Sequence, residues 1–495
     1  MQEIVTESGL SPGSIYLYFK SKEEIIKTIA DIRHVSECLI DSLCPNGEYN
    51  EYRFGGICNN MNNVKNNRTE RTLQFNTEIW DQMQYFFKEY NDHQLHGVIY
   101  FEDKLNKYLI KKAVLLSLDI VPILGSRFVI NKFHTYWEKV NDFNDSEVIS
   151  FVESTNPDEE IQRFTTKMTN EFTGPQLMVR VIRSSNKDTL CIVMNHMVCD
   201  GAGFKEYLYL LGDVYTRLQN DASSLKYEIG DRSSKQIYKN FSIIERLKIF
   251  FLSNEPSKNK NNIRFPLYNK QDNLTPYILT YKLSQNRFEL LKKYSKEHSV
   301  TINDIILAAY YRVLYRMLNL KQDTSLTIPC MIDLRRYITN KNVIGICNLS
   351  SMVMCNLVDN VGENFDETVK KVNSEMNEKK MGYAGLHGLS TVNLLFKILP
   401  FSIVKKIIKK KYVNPMIGIT NIGIIDSRRL KFDKILIKDA FVTGSIKYPP
   451  YFQLALTSYN NSITFTVNLY ASEIDIDLIH KFFIMLDNEL LIQEI

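Results

Sequence analysis

The chain has 495 residues, 44% hydrophobic and 24% charged, which supplies ample apolar material for a large core and argues against a disordered protein. Its 61 basic and 56 acidic residues leave a net charge of +5, too mild to imply nucleic acid or membrane as a partner by itself. No secretory signal opens it and no uncharged run reaches the ~20 apolar residues of a spanning helix, so a soluble, cytoplasmic protein is expected.

In chain order, the first 30 or so residues read as short helices around a turn. Gly9 suits the turn, Ser11 and Pro12 mark a helix start, and Ser21 with Glu24 forms a capping box. Residues 36–70, rich in Asn and Gly, read as a linker. A dense mixed pattern follows over 71–230. It has a helical stretch at 105–116, strands at 176–182 and 190–194, and an amphipathic helix at 204–218. Residues 231–274 are polar and basic and read as a connector. The region 275–495 then repeats the mixed character. A helix over 301–318 is marked by Thr301 and Asp304, and strands are expected at 325–332, 350–357, 416–419 and 463–470. The expected fold class is therefore α/β (α+β), in two similar halves behind a short all-α fragment.

Eight cysteines (Cys38, Cys44, Cys58, Cys191, Cys199, Cys330, Cys347 and Cys355) include no Cys-x-x-Cys pair and no Cys/His spacing of a zinc site. Buried reduced thiols and no metal site are expected.

The chemistry-bearing segment is Asn195-His196-Met197-Val198-Cys199-Asp200-Gly201-Ala202-Gly203, directly after the apolar strand at 190–194. A loop at the end of a buried strand is where a rigid scaffold presents reactive groups. Histidine suits proton abstraction near neutral pH, Asp200 can orient the loop or ring, and Gly201 and Gly203 permit tight backbone. A bare His-x-x-x-Asp-Gly string also describes a loop histidine beside a turn aspartate.

With the strand, loop and helix around it, this segment resembles the superfamily of condensation domains of peptide synthetases, alcohol acetyltransferases and chloramphenicol acetyltransferase, over about 71–495. Val121-Pro122-Ile123-Leu124, Arg127-Phe128 and Trp137-Glu138 look like that superfamily's stretch before the first core strand. The resemblance implies two chloramphenicol-acetyltransferase-like halves around a central tunnel. It makes His196 the catalytic base, Asp200 a structural carboxylate and Gly201 the residue that keeps the loop tight. Asn195 stands where condensation domains usually have a first histidine, which favours a free-standing enzyme over a peptide-bond-forming module. Asp333-Leu334-Arg335-Arg336-Tyr337 and Gly345-Ile346-Cys347-Asn348 resemble the family's Asp-Leu-Arg and Gly-Asn region, so Arg335, or else Arg336, is expected to pair with Asp200, with Asn348 in support. Thr420-Asn421-Ile422-Gly423 looks like the Ser/Thr-Asn-x-Gly stretch of alcohol acetyltransferases, which places Asn195, Thr420 and Asn421 on the tunnel wall. No Asp-Phe-Gly-Trp-Gly motif is present.

The segment Gly9-Leu10-Ser11-Pro12-Gly13-Ser14-Ile15-Tyr16-Leu17-Tyr18-Phe19-Lys20-Ser21-Lys22-Glu23 resembles the helix-turn-helix head of TetR-type regulators, truncated because only eight residues precede Gly9. The resemblance assigns 1–35 to this head, with a true start upstream of Met1 as one explanation and a remnant head as the other. It implies DNA contact through Ser11, Gly13, Ser14, Tyr16, Tyr18, Lys20 and Lys22. Residues 394–412 read as one basic amphipathic helix that offers contact to an anionic membrane or an acidic carrier protein, or else a solvated lysine face.

The expected function is acyl transfer from acyl-CoA or an acyl carrier protein, as co-substrate, to a small alcohol or amine, with no bound cofactor and no metal. The rivals are a TetR-type DNA-binding regulator whose later part senses an acyl ligand without catalysis, and a scaffold that binds a carrier protein.

Overall fold

The computed structural model describes residues 73–132, 134–220, 226–251, 263–268, 274–321, 323–339, 345–357 and 361–491. The helix-turn-helix segment at 1–35, with its seven expected DNA contacts, and the linker at 36–70 lie outside the described residues.

The first half opens with strand β1 (Gln74–Asn76) and helix α1 (Ile79–Phe87). Strand β2 (Gln94–Phe101) and helix α2 (Lys107–Ile120) follow, α2 capped by the Asn106 side chain. A 3-10 turn at Pro122–Gly125 leads to β3 (Ser126–Ile130) and β4 (Thr135–Lys139). Next come α3 (Asp145–Val148), β5 (Ile149–Glu153) and α4 (Pro157–Thr165), which begins with proline at its first position. Strands β6 (Leu177–Ser184) and β7 (Lys187–Asn195) precede the long helix α5 (Gly201–Gln219).

The second part carries α6 (Ile243–Phe251), β8 (Thr275–Leu283), α7 (Gln285–Glu297) and α8 (Ile302–Met317). Strands β9 (Leu326–Asp333) and β10 (Ser350–Leu357) precede α9 (Phe365–Lys380), α10 (Leu389–Ile398) and α11 (Phe401–Lys411). Four strands, β11 (Ile417–Ile425), β12 (Ile437–Thr443), β13 (Phe452–Tyr459) and β14 (Ser462–Ala471), run to the final helix α12 (Glu473–Glu489). The start of α8 is the expected capping box of Thr301 with Asp304.

The strands form a five-stranded sheet in the order β12-β2-β7-β6-β5, a six-stranded sheet in the order β10-β9-β11-β13-β14-β8, and a small sheet of β1, β4 and β3. In the five-stranded sheet, Leu190, Ile192 and Met194 of β7 pack with α2 and α5, while Cys191 and Val193 face Phe164 of α4. Burial on both faces explains why this strand is an unbroken apolar run. Gly97 of β2 lies under α5; a Cβ there would come within 2.6 Å of the Phe204 ring, so the helix approaches the sheet this closely only over glycine. The six-stranded sheet packs against α8, α9 and α12 around Tyr310, Tyr311 and Phe482.

The structure corrects two expectations and adds a strand crossing that the two-half layout does not specify. The stretch at Val121 to Trp137 does not precede the first core strand, because β2 already occupies an inner position of the five-stranded sheet. The halves are not separate in strand content: β12, late in the chain, completes the first sheet by pairing antiparallel with β2, with Thr443 opposite His96. The basic segment 394–412 is two helices, not one, broken at Leu399-Pro400, where proline lacks an amide hydrogen and pushes the preceding residue to extended backbone. On α11, Phe401, Ile403, Val404, Ile407 and Ile408 are buried and Lys406, Lys409, Lys410 and Lys411 are exposed. Lys409 pairs with Glu89 at 2.9 Å, and the Lys405 ammonium lies 5.4 Å from the Tyr85 ring centre. That is a packed helix with a lysine-rich outer face. The polar stretch 231–274 also carries local structure, a 3-10 turn at Ser234–Tyr238 and α6.

Candidate active site

His196 sits one residue past the end of β7. Among residues 191–200 it alone is not fully buried. The loop that holds it is built from local hydrogen bonds. Asn195 Oδ1 accepts the Met197 amide at 3.0 Å, and the Asn195 carbonyl accepts the Val198 amide at 3.0 Å. The His196 amide donates to the His93 carbonyl at 2.8 Å, which ties the loop to the start of β2. From the second half, Asn348 Nδ2 donates to the carbonyls of His196 (2.9 Å) and Met197 (3.0 Å).

The imidazole is oriented by its own loop: Nδ1 lies 2.9 Å from the Cys199 carbonyl oxygen. A carbonyl oxygen only accepts, so the Nδ1 edge must carry the hydrogen and Nε2 keeps the lone pair. Burial, the largest influence, pushes the pKa of His196 down; the Asp200 charge and the Cys199 carbonyl oppose it, and the Lys447 charge adds to it. The ring is thereby held neutral at pH 7, with a basic nitrogen.

Asp200 is the N-cap of α5, and its Oδ1 accepts the Gly203 amide at 2.9 Å. Its Oδ2 accepts from Arg335 Nη1 at 2.9 Å and from the Leu349 amide at 2.7 Å. Arg335 Nη2 donates to the Cys347 carbonyl at 2.8 Å, and Asp333 accepts from both the Arg335 amide and Nη1. Burial would raise the pKa of Asp200, but the Arg335 charge and these donors outweigh it and hold the carboxyl below its usual range. Gly203 is required here, because a Cβ would lie 2.8 Å from both the Cys347 carbonyl oxygen and the Cys199 Cβ.

One contributor carries no local signal in the sequence. Arg232, from the polar stretch, donates through Nη1 to the carbonyls of Val198 and Ile346, each at 2.6 Å. Its Nη2 meets Asp81 of α1 at 3.0 Å, and Asp81 also accepts from Trp137 Nε1 at 2.9 Å. This guanidinium thus clamps the histidine loop to the loop before Asn348. It stands in a segment whose composition reads as a connector, so nothing around it announces the role.

The other expected residues fall as follows. Arg336 is exposed and stacks near Tyr337, with its guanidinium 5.6 Å from the ring centre, so of the two arginines it is Arg335 that meets Asp200. Asn195, expected on a tunnel wall, is fully buried and serves the turn. Thr420 is half-buried, and Asn421 is exposed and bonds Asn303 at 3.2 Å. What this segment brings to the motif is Ile422, whose Cγ2 lies 2.9 Å from where a Cβ on Gly201 would be, and whose carbonyl accepts from Lys205 at 2.7 Å. A cleft of about 400 Å³ opens beside α5, lined by Ala202, Lys205, Tyr209, Asp333, Arg336 and Arg429 among others. Among the described residues no group of His, Cys, Asp and Glu could hold a metal ion, and no helix is long and apolar enough to cross a membrane.

Comparison with known proteins bears on both ends of the chain. The family described as bacterial regulatory proteins, tetR family, matches residues 1–29. No curated protein sequence matches the chain. Among solved structures, the first condensation domain of the CDA synthetase superimposes with a TM-score of 0.60 at 12% identity, covering 84% of this chain and 96% of that one. The epimerization domain from the third module of tyrocidine synthetase B does so at 0.59 and 12% identity, covering 86% and 98%. TRI3 trichothecene 15-O-acetyltransferase from Fusarium sporotrichioides does so at 0.60 and 11% identity, covering 85% and 96%. The chain shares the mixed α/β, two-lobed fold of condensation-type domains.

Proposed function

We propose that this protein transfers an acyl group from a CoA or carrier-protein thioester to an alcohol or amine, with His196 as general base. The observation that carries the reading is the ring itself: it is the one partly exposed side chain in a buried run, oriented by the Cys199 carbonyl so that Nε2 keeps its lone pair. Nε2 takes the acceptor's proton as its oxygen or nitrogen attacks the thioester carbonyl. The tetrahedral intermediate then expels the thiolate, which recovers the proton from the imidazolium as thiol. Asp200 acts through the loop and not on substrate, since Arg335, Leu349 and Gly203 occupy its oxygens.

The test is thiol release from acetyl-CoA and longer acyl-CoAs with a panel of alcohols and amines. His196→Ala is expected to lower turnover by about 10²–10⁴-fold, the usual range for a general base, with an unchanged melting temperature. A chain lacking residues 1–35 should retain activity. Turnover that survives His196→Ala would refute the assignment.

The tetR-family match at residues 1–29 favours a second reading, DNA binding through Ser11, Gly13, Ser14, Tyr16, Tyr18, Lys20 and Lys22. Acyl-CoA binding without turnover, together with sequence-specific DNA binding that is lost on deleting residues 1–35, would support a regulator in place of the enzyme.

A further inference from the structure

The cleft beside α5 has no part in the chemistry above, yet it borders the motif. Its volume of about 400 Å³ lies within the about 300–1,000 Å³ of small-molecule sites. Ala202, in the helix turn that Asp200 caps, lines it. So does Leu349, one residue after the Asn348 that holds the His196 carbonyl.

Each carboxylate in the cleft wall already has a guanidinium. Asp333 accepts from Arg335 at 3.1 Å, Glu206 takes both Nη atoms of Arg429 at 2.8 and 2.6 Å, and Asp426 pairs with Arg428 at 3.1 Å. Two cations of the wall are left over. Arg336 is exposed and Lys205 is half-buried, and among the described residues neither pairs with a carboxylate.

Backbone holds Lys205 instead. Its ammonium donates to the carbonyls of Ile422 (2.7 Å) and Ile424 (3.2 Å). The bulge at Gly423, whose φ of 85° favours glycine, lies between those carbonyls and lets both reach one ammonium. An ammonium has three N–H donors, so one is left for the cleft. Burial, the largest influence on this lysine, works against its charge, while Asp333, Asp200 and Glu206 favour it from beyond pairing distance. An anion at the third donor would oppose the cost of burial. Tyr209 adds a hydroxyl to the wall. Its oxygen accepts the Asp426 amide at 2.8 Å, and its hydrogen has no acceptor among the described residues.

We infer that this cleft binds a phosphate group of the acyl donor through Lys205, Arg336 and Tyr209, so that the donor is a phosphorylated thioester such as acyl-CoA. The inference rests on the transfer reading of His196. Two unmatched cations suit a group that carries up to two negative charges, and three phosphate oxygens accept from three donors. A cation in the same place meets Lys205 and Arg336, and a hydrocarbon leaves the ammonium and the hydroxyl unpaired. His196 does not line the cleft, so the phosphate binds apart from the reacting carbon, as the long arm of such a thioester permits.

The experiment measures thiol release by the full-length protein, over the alcohol and amine panel, with three donors: acetyl-CoA, acetyl-4′-phosphopantetheine and acetylpantetheine, which has no phosphate. Arg336→Gln, at an exposed side chain, is the first variant and Lys205→Met the second. Each is expected to raise the ratio of KM for acetyl-CoA to KM for acetylpantetheine by about tenfold, the factor for one charge-assisted hydrogen bond. The ratio is taken within one variant, so a loss of folded protein cancels. A parallel rise for acetyl-4′-phosphopantetheine supports the site and assigns it the phosphate on the pantetheine arm, which a carrier protein shares. A rise for acetyl-CoA alone supports the site and assigns it a nucleotide phosphate. Equal effects on acetyl-CoA and acetylpantetheine, or none, would overturn the site and leave the role of His196 standing. Absence of His196-dependent thiol release with any donor strikes the transfer reading instead. Calorimetric titration with CoA then decides the site alone: about tenfold weaker binding in both variants supports it, and no binding or unchanged binding refutes it.

Discussion

A histidine that acts as a base must be neutral before substrate arrives, and the surroundings of His196 arrange this by burial more than by any partner. The pKa is lowered from 6.5, so the neutral form predominates at pH 7 and is lost as pH falls through the lowered value. The acid limb of kcat/KM is therefore expected below pH 6.5, with activity nearly flat from pH 7 to 8; an acid inflection above pH 7 would contradict a desolvated base. At this scale the sequence was partly legible. His196, Asp200, Arg335 and Asn348 are brought together, because each sits at a strand or helix end that its neighbours mark. That Asn195 is buried in its turn and Asn421 exposed was not legible, because a residue type and a motif position do not say which way a side chain turns out of a strand, and a bulge lies between Asn421 and Gly423. Arg232 was missed because its importance lies wholly in partners distant along the chain.

Helix α5 starts at Gly201, three residues before its apolar pattern begins, because Asp200 caps it and the glycines allow the tight entry. Its first turn, the histidine loop and the Arg335 segment therefore form one unit, and its stability rests on a buried ion pair. Arg335→Met leaves Asp200 buried and unpaired, with an expected loss of about 3–5 kcal/mol in urea denaturation. Adding Asp200→Asn to that variant should recover most of the loss, since asparagine still caps the helix; no recovery would sink the pairing argument. Strands β7, β9, β10 and β14 lie within about three residues of their sequence-based positions, β7 and β14 because they are inner strands with long buried runs, and edge strand β10 because its buried residues alternate. β2 escaped notice: His96 and Gly97 interrupt its apolar pattern, the glycine to admit Phe204. The break at Pro400 was legible in principle, but the lysine periodicity around it read as continuous.

Across the whole molecule, composition and the order of elements were enough to expect two mixed α/β halves, and the sheets bear out that class. What composition could not reveal is that the halves trade material. β12 closes the first sheet against β2, Arg232 spans from the histidine loop to the Ile346 carbonyl, and Asn348 holds the histidine loop from the second half. A fragment of residues 71–274 is thus expected to be insoluble alone, with β2 as an unpaired edge, and to become soluble when co-expressed with residues 275–495. A monomeric, stably folded 71–274 fragment by size-exclusion chromatography and circular dichroism would contradict this.

The pairing of β2 with β12 also sets a schedule for synthesis. Phe101 leaves the ribosome about 340 residues ahead of Ile437, a wait on the order of half a minute at about 10 residues per second. Throughout that interval the nascent chain carries an open β edge beside the segment that will hold the histidine. Until β12 is made, that edge is open to pairing with other chains, so slowed or interrupted synthesis is expected to favour aggregation.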